Sequence, residues 1–423
     1  MSSKTEIVVT GVGVVSPIGI GRDEFWSALR RAKSGIKRIR SFDCSALPVQ
    51  IAAEVDGFIP KDYVAHRKSL KLMCRDSQFG VAAAKLACED AGIAPDVVDP
   101  DRFGVVLGAA RICNAMRDSE NTYRECIVDG RFDFSRWAVE GMDATFPLNF
   151  LKMLPNMIAS HVSIARDARG PNNTIHEAEV SSLVAVSEAA RIIQRGSADV
   201  MIAGGASSEM NPFDCIRRCA MGILSRKQKD PAAAMRPFDA DRDGQVWGEG
   251  AAVFILESRQ HAEARGAAVL ARLLSWAAAC ESPNGSNRIK GTGLRHVMQT
   301  ALRRAEISED ALGHLNAHGL STPADDELEA RAIRQVVPSV PVTAPKSYFG
   351  NLGAAGGAME MAASVLSLDT GIVPATLNYE RPDPNCPLQV IHREPLTSTR
   401  SPAMLLNWTQ IGQSVALVVD GPN

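Results

Sequence analysis

Residues 7–15 read IVVTGVGVV and are followed directly by Ser16 and Pro17. A short run so rich in β-branched residues is typical of a strand that is buried on both faces, and proline ends it because it cannot donate a hydrogen bond to a sheet. A helical pattern of apolar residues comes next. We expect Asp23 to cap the start of this helix and Gly35 to end it. A buried strand that leads into an amphipathic helix is the repeating unit of α/β proteins.

The same alternation continues along the rest of the chain. Short apolar runs predict strands at residues 103–108, 199–203, 251–256, 314–317 and 415–419, and one that ends at Ile175. Helical periodicity predicts helices at residues 76–91, 183–193, 295–305, 325–336 and 354–368. The pattern predicts an α/β protein with largely parallel sheets that helices cover on both faces. We expect an N-terminal half over residues 1–257 and a C-terminal half over residues 258–423, in one compact body.

The composition excludes several classes of protein. The chain has 423 residues, of which 45% are hydrophobic and 22% charged, as in a globular protein with a large core. A formal net charge of −2 gives no electrostatic reason to expect nucleic acid or an anionic membrane as a partner. No apolar run is long enough to span a membrane, and the first residues do not have the pattern of a secretory signal. We therefore expect a cytoplasmic protein with no nucleic-acid or membrane partner.

Nine cysteines are scattered through the chain, and no two of them form a CxxC pair. Cys215 and Cys219 are four residues apart, which could place them on one helix face, but no second pair of ligands accompanies them. Reduced thiols with no bound metal are the expected state.

Four segments, in order along the chain, carry a family resemblance: VVTGVGVVSPIG at residues 8–19, RPFDADRDGQVWGEG at 236–250, NAHGLSTP at 316–323 and PKSYFGNLGAAG at 345–356. They resemble the opening strand and the RPFDxxRDGxxxGEG, NAHGTSTP and KSxxGHxxGAAG motifs of β-ketoacyl synthases. The resemblance extends from Ile7 to about Asp420. It implies a thiolase-like fold, in which two similar βαβαβαββ halves form a five-layer αβαβα arrangement, and it implies a dimer.

The family's nucleophile motif resembles IDTACSSSLVA, and residues 174–185 here read TIHEAEVSSLVA. The matching residues on both sides place the cysteine position on Glu179. In the family, a thiolate at a helix N-terminus takes an acyl group from the phosphopantetheine arm of an acyl carrier protein. A carboxylate is a weak nucleophile, and an acyl anhydride formed on it would hydrolyse. The helix N-terminus should also lower the pKa of this carboxyl and keep it ionised, so we expect standard condensation to be lost.

The resemblance also assigns supporting roles around this position. His318 falls on a histidine that donates to the thioester oxygen, and Asn351 replaces a second such histidine. Lys346 and Glu329 fall on positions that form a buried ion pair. For Glu179 itself two interpretations remain open: a carboxylate that accepts backbone N–H groups at the helix start, or a catalytic base. His318 is either a residual oxyanion donor or a buried residue inherited from an active ancestor.

Substrate-binding positions depart further from the family pattern. Leu320 replaces the first of two threonines that bind the pantetheine amide, and Thr322 retains the second. Residues 407–413 read NWTQIGQ, where the family has a glycine-rich NSFGFGG loop. Thr409 belongs to this segment and is a candidate substrate-binding residue. The family's gating phenylalanine falls on Ile411. Because the replacements lack the backbone freedom of glycine, we expect an altered or static gate.

A metal site is not expected. His176 and Glu177 are near Glu179 and could suggest one with His318, but neighbours at a strand end point to opposite faces.

The leading hypothesis is a non-elongating subunit that dimerises with an active ketosynthase, similar to the chain-length factor of two-subunit polyketide systems. Its substrate would be an acyl chain on an acyl carrier protein, and it would bind no cofactor of its own. One alternative is an enzyme that hydrolyses, decarboxylates or otherwise transforms an acyl thioester, with Glu179 as base and with His318 and Asn351 polarising the carbonyl. Another is a structural homodimer that binds no acyl chain.

Overall fold

Strands and helices alternate along the whole chain. The computed structural model describes residues 5–94, 97–110, 116–282, 289–397 and 402–422. The strands are β1 (Ile7–Ser16), β2 (Gly19–Ile20), β3 (Lys37–Arg38), β4 (Ile51–Ala52), β5 (Phe103–Ala109), β6 (Ile127–Val128), β7 (Arg131–Phe132), β8 (Asn172–Ile175), β9 (Val200–Ser207), β10 (Gly250–Ser258), β11 (Ala271–Cys280), β12 (His314–Asn316), β13 (Val342–Thr343), β14 (Ile372–Val373), β15 (Leu396–Thr397), β16 (Ala403–Trp408) and β17 (Gln413–Asp420). The α-helices are α1 (Arg22–Arg30), α2 (Arg75–Asp90), α3 (Met116–Glu125), α4 (Met157–Arg166), α5 (Ser181–Gln194), α6 (Pro212–Met221), α7 (Arg259–Ala264), α8 (Thr292–Ala305), α9 (Pro323–Val336), α10 (Lys346–Phe349) and α11 (Gly356–Thr370).

One sheet with two similar parts forms the centre of the chain. The N-terminal part has the strand order β8-β5-β9-β10-β1, and the C-terminal part has the order β13-β12-β16-β17-β11. If the strands of each part are numbered along the chain, both parts read 3-2-4-5-1, so the chain contains the same topology twice. The parts meet where residues 7–9 of β1 pair antiparallel with residues 271–273 of β11.

The expectation of largely parallel sheets is wrong for the middle of this sheet. Parallel pairs are confined to its two ends, where β5 lies between β8 and β9, and β12 lies between β13 and β16. The strands between them pair antiparallel. β16 and β17, for example, are joined by a four-residue loop, and a loop that short can only connect antiparallel strands.

Helices form three layers around the two parts of the sheet. α5 packs on β5 and β9, α11 packs on β16 and β10, and the two helices touch each other between the sheet parts. α2 and α4 cover the outer face of the N-terminal part, whereas α8 covers the outer face of the C-terminal part with α9 beside it. The expected αβαβα layering is therefore confirmed. α11 is buried on all sides from Gly356 to Leu368, as its place in the central layer requires.

The strands and helices predicted from the sequence are confirmed to within four residues at each end, except at the first helix. α1 is preceded by Gly21 as its N-cap, and Asp23 lies in its first turn. Gly21 has φ 92°, a backbone conformation that glycine adopts at no steric cost, so the helix begins earlier than expected. The helix also ends at Arg30, well before Gly35, whose Cα approaches Pro17 too closely for a side chain.

No helix within the described ranges has the length and apolar character needed to cross a membrane.

Candidate functional site

A cavity of about 410 Å³ lies beside the N-terminus of α5 and is lined by both halves of the chain. The N-terminal half contributes residues 176–179 together with Glu209, Arg218 and Trp247. The C-terminal half contributes Leu320 and residues 408–411. The cavity therefore lies where the two structural repeats meet.

Glu179 is held on the wall of this cavity by a short turn. Residues 178–180 form one turn of 3-10 helix that leads directly into α5. The Ser181 hydroxyl accepts the Glu177 backbone N–H at 2.8 Å and donates to the Ala178 carbonyl at 2.7 Å. Ala178 has φ 50°, which is unusual for a residue with a side chain. The turn is thus a constrained one, and it presents Glu179 at the helix start, as the sequence predicts.

The charge state of Glu179 differs from the sequence-based expectation. Burial raises the pKa of its carboxyl above the ordinary value. Its own backbone N–H, the charges of Lys346 and Arg218, and the Asn351 side chain all act to lower the pKa, but they do not outweigh burial. The backbone at the helix start therefore lowers the pKa as expected, but the expected net lowering is wrong because the loss of solvation is the larger effect. The same interactions place Glu179 close to Lys346 and Asn351.

Lys346 is fully buried, and its expected ion pair with Glu329 is wrong. The ammonium group pairs instead with the carboxylate of Glu360 on α11 and lies 3.0 Å from Nδ1 of His318. Glu329 accepts the backbone N–H groups of His318 at 2.7 Å and Gly319 at 2.8 Å, so its carboxyl positions the loop that carries the histidine. Burial raises the pKa of Glu329 to about 8.

Glu360 was not predicted as a site residue, although the sequence contains a signal for it. Residues 356–368 read GGAMEMAASVLSL, and a single carboxylate in so apolar a helix must find a cation or a donor.

His318 is held as a neutral imidazole. Burial and the nearby Lys346 charge lower its pKa well below the ordinary value, and the Asn407 side chain offsets only part of this effect. Because Lys346 donates to Nδ1, the imidazole proton resides on Nε2. Among the described residues, Nε2 makes no hydrogen bond of ordinary geometry, and Asn407 is the polar side chain that acts on the imidazole besides Lys346. The Trp408 indole packs against the imidazole, with 5.9 Å between the ring centroids.

Asn351 is also buried, and its side-chain amide is engaged at both ends. Its Nδ2 donates to Gln245 Oε1 at 2.6 Å, and its Oδ1 accepts the Gly353 N–H at 3.1 Å. These bonds hold the loop that follows Lys346 against residue 245.

The predicted substrate-binding residues occupy different places. Leu320, Thr409 and Ile411 line the cavity, and Ile411 is 71% exposed at its edge. Thr322 caps α9, and its hydroxyl donates to Asp325 at 2.6 Å. The loop of residues 409–412 is anchored to the same carboxylate, since Gln410 Nε2 donates to Asp325 at 2.8 Å.

Gly412 constrains this loop further. It has φ 101°, and a Cβ there would lie 2.1 Å from the Glu281 carbonyl oxygen. The loop is therefore held by contacts on both sides of Ile411, and whether it moves stays a prediction.

The N-terminal wall of the cavity carries groups that the sequence did not predict. The Arg218 guanidinium stacks on Trp247, 3.4 Å from the ring centroid, and pairs with Glu209. His176 and Glu177 face the same cavity as Glu179, contrary to expectation, because β8 ends before them and strand alternation does not apply. In the part of the chain that the structure describes, no three His, Cys, Asp or Glu side chains are arranged to hold a metal ion.

Comparison with known proteins identifies the family. Residues 4–262 match the β-ketoacyl synthase N-terminal domain, and residues 270–380 match the β-ketoacyl synthase C-terminal domain. The chain belongs to the β-ketoacyl synthase family. Its place in this family agrees with the doubled topology and the five layers described above.

Relatives of this β-ketoacyl synthase homologue come from fatty-acid and polyketide systems. The chain is 35% identical over 396 residues to 3-oxoacyl-acyl-carrier-protein synthase 2 of Coxiella burnetii, covering 92% of each protein. It is 35% identical over 401 residues to the actinorhodin polyketide putative β-ketoacyl synthase 1 of Streptomyces coelicolor, covering 92% of this chain and 83% of that protein.

Solved structures show the same thiolase-like fold. The ishigamide ketosynthase/chain length factor superposes with a TM-score of 0.87 at 26% identity and covers all of both chains. A β-ketoacyl synthase from Burkholderia phymatum superposes with a TM-score of 0.88 at 27% identity, over 99% of this chain and all of that one.

Proposed function

We propose that this β-ketoacyl synthase homologue does not elongate acyl chains itself and acts as the partner subunit of an active ketosynthase, in the manner of a chain-length factor. Its substrate is an acyl chain on the phosphopantetheine arm of an acyl carrier protein. The observation that carries the proposal is Glu179, which lies at the start of α5 on the cavity wall. The family resemblance puts the nucleophilic cysteine at this position, and a carboxylate cannot hold an acyl group durably.

The state of the two expected donors supports the same proposal. Trp408 packs against His318, and the Asn351 amide is already bonded to Gln245 and Gly353. Stabilising a thioester enolate requires donors aimed at the oxygen on which charge develops. Neither side chain lines the cavity, so neither is aimed at an oxygen there.

A large apolar surface provides the docking site for the partner ketosynthase. The exposed side chains that form this apolar surface are Tyr123, Ile127, Val128, Phe132, Phe134, Val139, Met142, Phe146, Leu148, Phe150, Met153, Leu154 and Ile164. Monomeric proteins rarely expose so much apolar side chain in one segment, and aromatic residues are enriched in protein interfaces. The ketosynthase/chain length factor among the structural relatives is named as a two-component system.

The edge of the sheet connects this docking site to the cavity. Among the described strands, β8 pairs only with β5, which leaves its other edge open for another chain. The residues that follow β8 are those that line the cavity up to Glu179. A partner bound along β8 would therefore lie next to the cavity wall.

An enzyme of altered chemistry is the second candidate, and one observation favours it. Burial raises the pKa of Glu179, and a carboxyl with a raised pKa is better suited to act as a general base near neutral pH. In that case Glu179 would take a proton from water or from the substrate.

Turnover assays distinguish the candidates. The purified chain is incubated with malonyl- and acyl-acyl carrier protein, alone and with a partner ketosynthase that has an intact cysteine. We expect no turnover by the chain alone and condensation only by the pair. Turnover by the chain alone that Glu179→Ala abolishes would instead establish the enzyme. Failure to bind an acyl chain in either setting would leave a structural homodimer.

Restoring sulfur tests the central observation directly. We expect Glu179→Cys to gain a stable acyl adduct from an acyl-pantetheine thioester, detected by intact mass, and the unaltered chain to gain none. Glu177→Cys is the matched control, because it places a thiol in the same cavity but not at the helix start. An adduct on the unaltered chain, or equal labelling of both variants, would contradict the proposal.

A further inference from the structure

We infer that Trp408 is a plug that separates the cavity from the buried group formed by His318, Lys346 and Glu360. The inference rests on the proposed function in one respect, since it explains how His318 can be retained in a chain that does not condense. The evidence for the inference is the packing of the Trp408 indole against the His318 imidazole.

Trp408 contacts both the cavity and the buried imidazole. It lines the cavity, yet it is only 1% exposed, and its indole packs against the imidazole of His318. His318 is completely buried and is not among the described residues that line the cavity. A group that enters the cavity therefore meets the indole before it can meet the imidazole.

The surrounding structure holds the indole in place. Trp408 is the last residue of β16 and belongs to the apolar cluster that contains Phe238 and Ala317. The loop that follows is fixed by Gln410 and by Gly412, as described above. Movement of the indole away from His318 would require this cluster to repack, and closely packed interiors resist such a change.

The polar group behind the plug remains intact. Lys346 bonds to both His318 and Glu360, and Asn407 donates to the Glu360 carboxylate. The Nε2 proton of His318 makes no hydrogen bond of ordinary geometry with the described residues. The NSFGFGG motif, to which residues 407–413 correspond, has a serine in the place of Trp408, and a serine side chain would leave the space of the indole empty. Trp408 therefore keeps a competent hydrogen-bond donor away from any thioester carbonyl in the cavity.

Chemical modification of histidines tests the plug without any acyl substrate. Diethyl pyrocarbonate modifies neutral imidazole, and peptide mass mapping reports each histidine separately. His176 is exposed on the cavity wall and His66 is exposed elsewhere, so both serve as internal standards. We expect His318 of the unaltered chain to react at least about tenfold more slowly than His176, because a buried group reacts only through local opening. Equal rates in the unaltered chain would overturn the inference by themselves.

Variants then assign the protection to one side chain. We expect Trp408→Ser to raise the His318 rate by at least about tenfold and Trp408→Phe to leave it low, since a phenyl ring still fills most of the space. Ile411→Ser is the matched control, because Ile411 lines the same cavity but is exposed, and it should leave the His318 rate unchanged. If Trp408→Ser does not fold, Trp408→Leu replaces it, with an intermediate rate expected. Continued protection in the folded Ser or Leu variant would refute the plug.

This outcome is independent of the proposed function. A plug can be demonstrated in a chain that proves to be an enzyme, and its failure would leave the Glu179→Cys result untouched.

Discussion

Burial raises the pKa of the Glu179 carboxyl, whereas several nearby groups act to lower it. The balance raises its pKa, so the folded chain holds the Glu179 proton more tightly than the unfolded chain does. For such a group the contribution to stability is most favourable at low pH and declines as the pH rises from the ordinary glutamate pKa through the folded pKa. The ionised side chain is therefore a source of instability at the helix start.

Glu179→Gln should reveal this effect. Glutamine cannot ionise, so the melting temperature of the variant relative to the unaltered chain should increase as the pH is raised from about 5 to about 8. Differential scanning fluorimetry over a pH series measures the difference. Glu309→Gln, at an exposed position away from the cavity, is the control for general effects of charge. A difference that stays constant or falls with pH would show that Glu179 is not a desolvated carboxyl.

Chemistry at the residue scale was only partly predictable. Local motifs placed Glu179, His318, Lys346 and Asn351 in one region because each motif is a short, recognisable pattern. The partner of Lys346 was not predictable. Glu329 already accepts two backbone N–H groups, and Lys346 pairs with Glu360 instead.

The packing of Trp408 on His318 could not be predicted from the sequence for a similar reason. The contact joins His318 and Trp408, which are 90 residues apart in the chain.

At the scale of elements, the position of Glu179 depends on how α5 meets the sheet. Gly108 of β5 lies against the first turn of α5, and a Cβ there would lie 2.5 Å from the Ser182 backbone nitrogen. The Ser182 hydroxyl in turn accepts the Ala358 N–H of α11 at 2.9 Å, so the helix start is held from both sides. A methyl group at residue 108 would have to displace backbone.

Gly108→Ala should therefore destabilise the chain by about 1–3 kcal/mol, the usual cost of overpacking a core. A lower denaturant midpoint in urea-induced unfolding measures the loss. Gly421→Ala is the matched control, because a Cβ at that position meets nothing within 4 Å. Equal midpoints for the two variants would mean that the contact between β5 and α5 can relax freely.

Element types and the five-layer arrangement were well predicted, whereas the direction of the strands in the middle of the sheet was not. Apolar runs and helical spacing identified the elements because those patterns follow local burial. The direction of strands in the middle of the sheet was wrong, since alternation along the chain does not reveal that β10 lies between β1 and β9. The predicted start of α1 was two residues too late because Gly21, and not Asp23, is the N-cap.

At the scale of the whole molecule, the apolar surface sets the expected assembly. Tyr123, Phe132 and Trp137 form an aromatic cluster with centroids 5.6–6.2 Å apart, and Phe134 beside it is 76% exposed. A side chain this exposed adds little to the stability of the single chain. Under the proposed function, it contacts the partner ketosynthase.

Phe134→Asp should weaken association with the partner ketosynthase by at least about tenfold in Kd, which corresponds to about 1.4 kcal/mol. Analytical ultracentrifugation of the mixed proteins measures the change, and an unaltered melting temperature would show that the chain still folds. Ile59→Asp is the matched control, because Ile59 is 54% exposed and lies outside the apolar surface. Equal loss of association in both variants would place the interface elsewhere.

The short pairing of β1 with β11 has a consequence for synthesis. β1 leaves the ribosome long before the two long strands that flank it in the sheet, residues 250–258 and residues 271–280. At roughly 5–20 residues per second, the strand must wait on the order of ten seconds or more for either of them. During that time most of IVVTGVGVV is an unpaired apolar segment, so chaperones that hold nascent chains should contact this stretch.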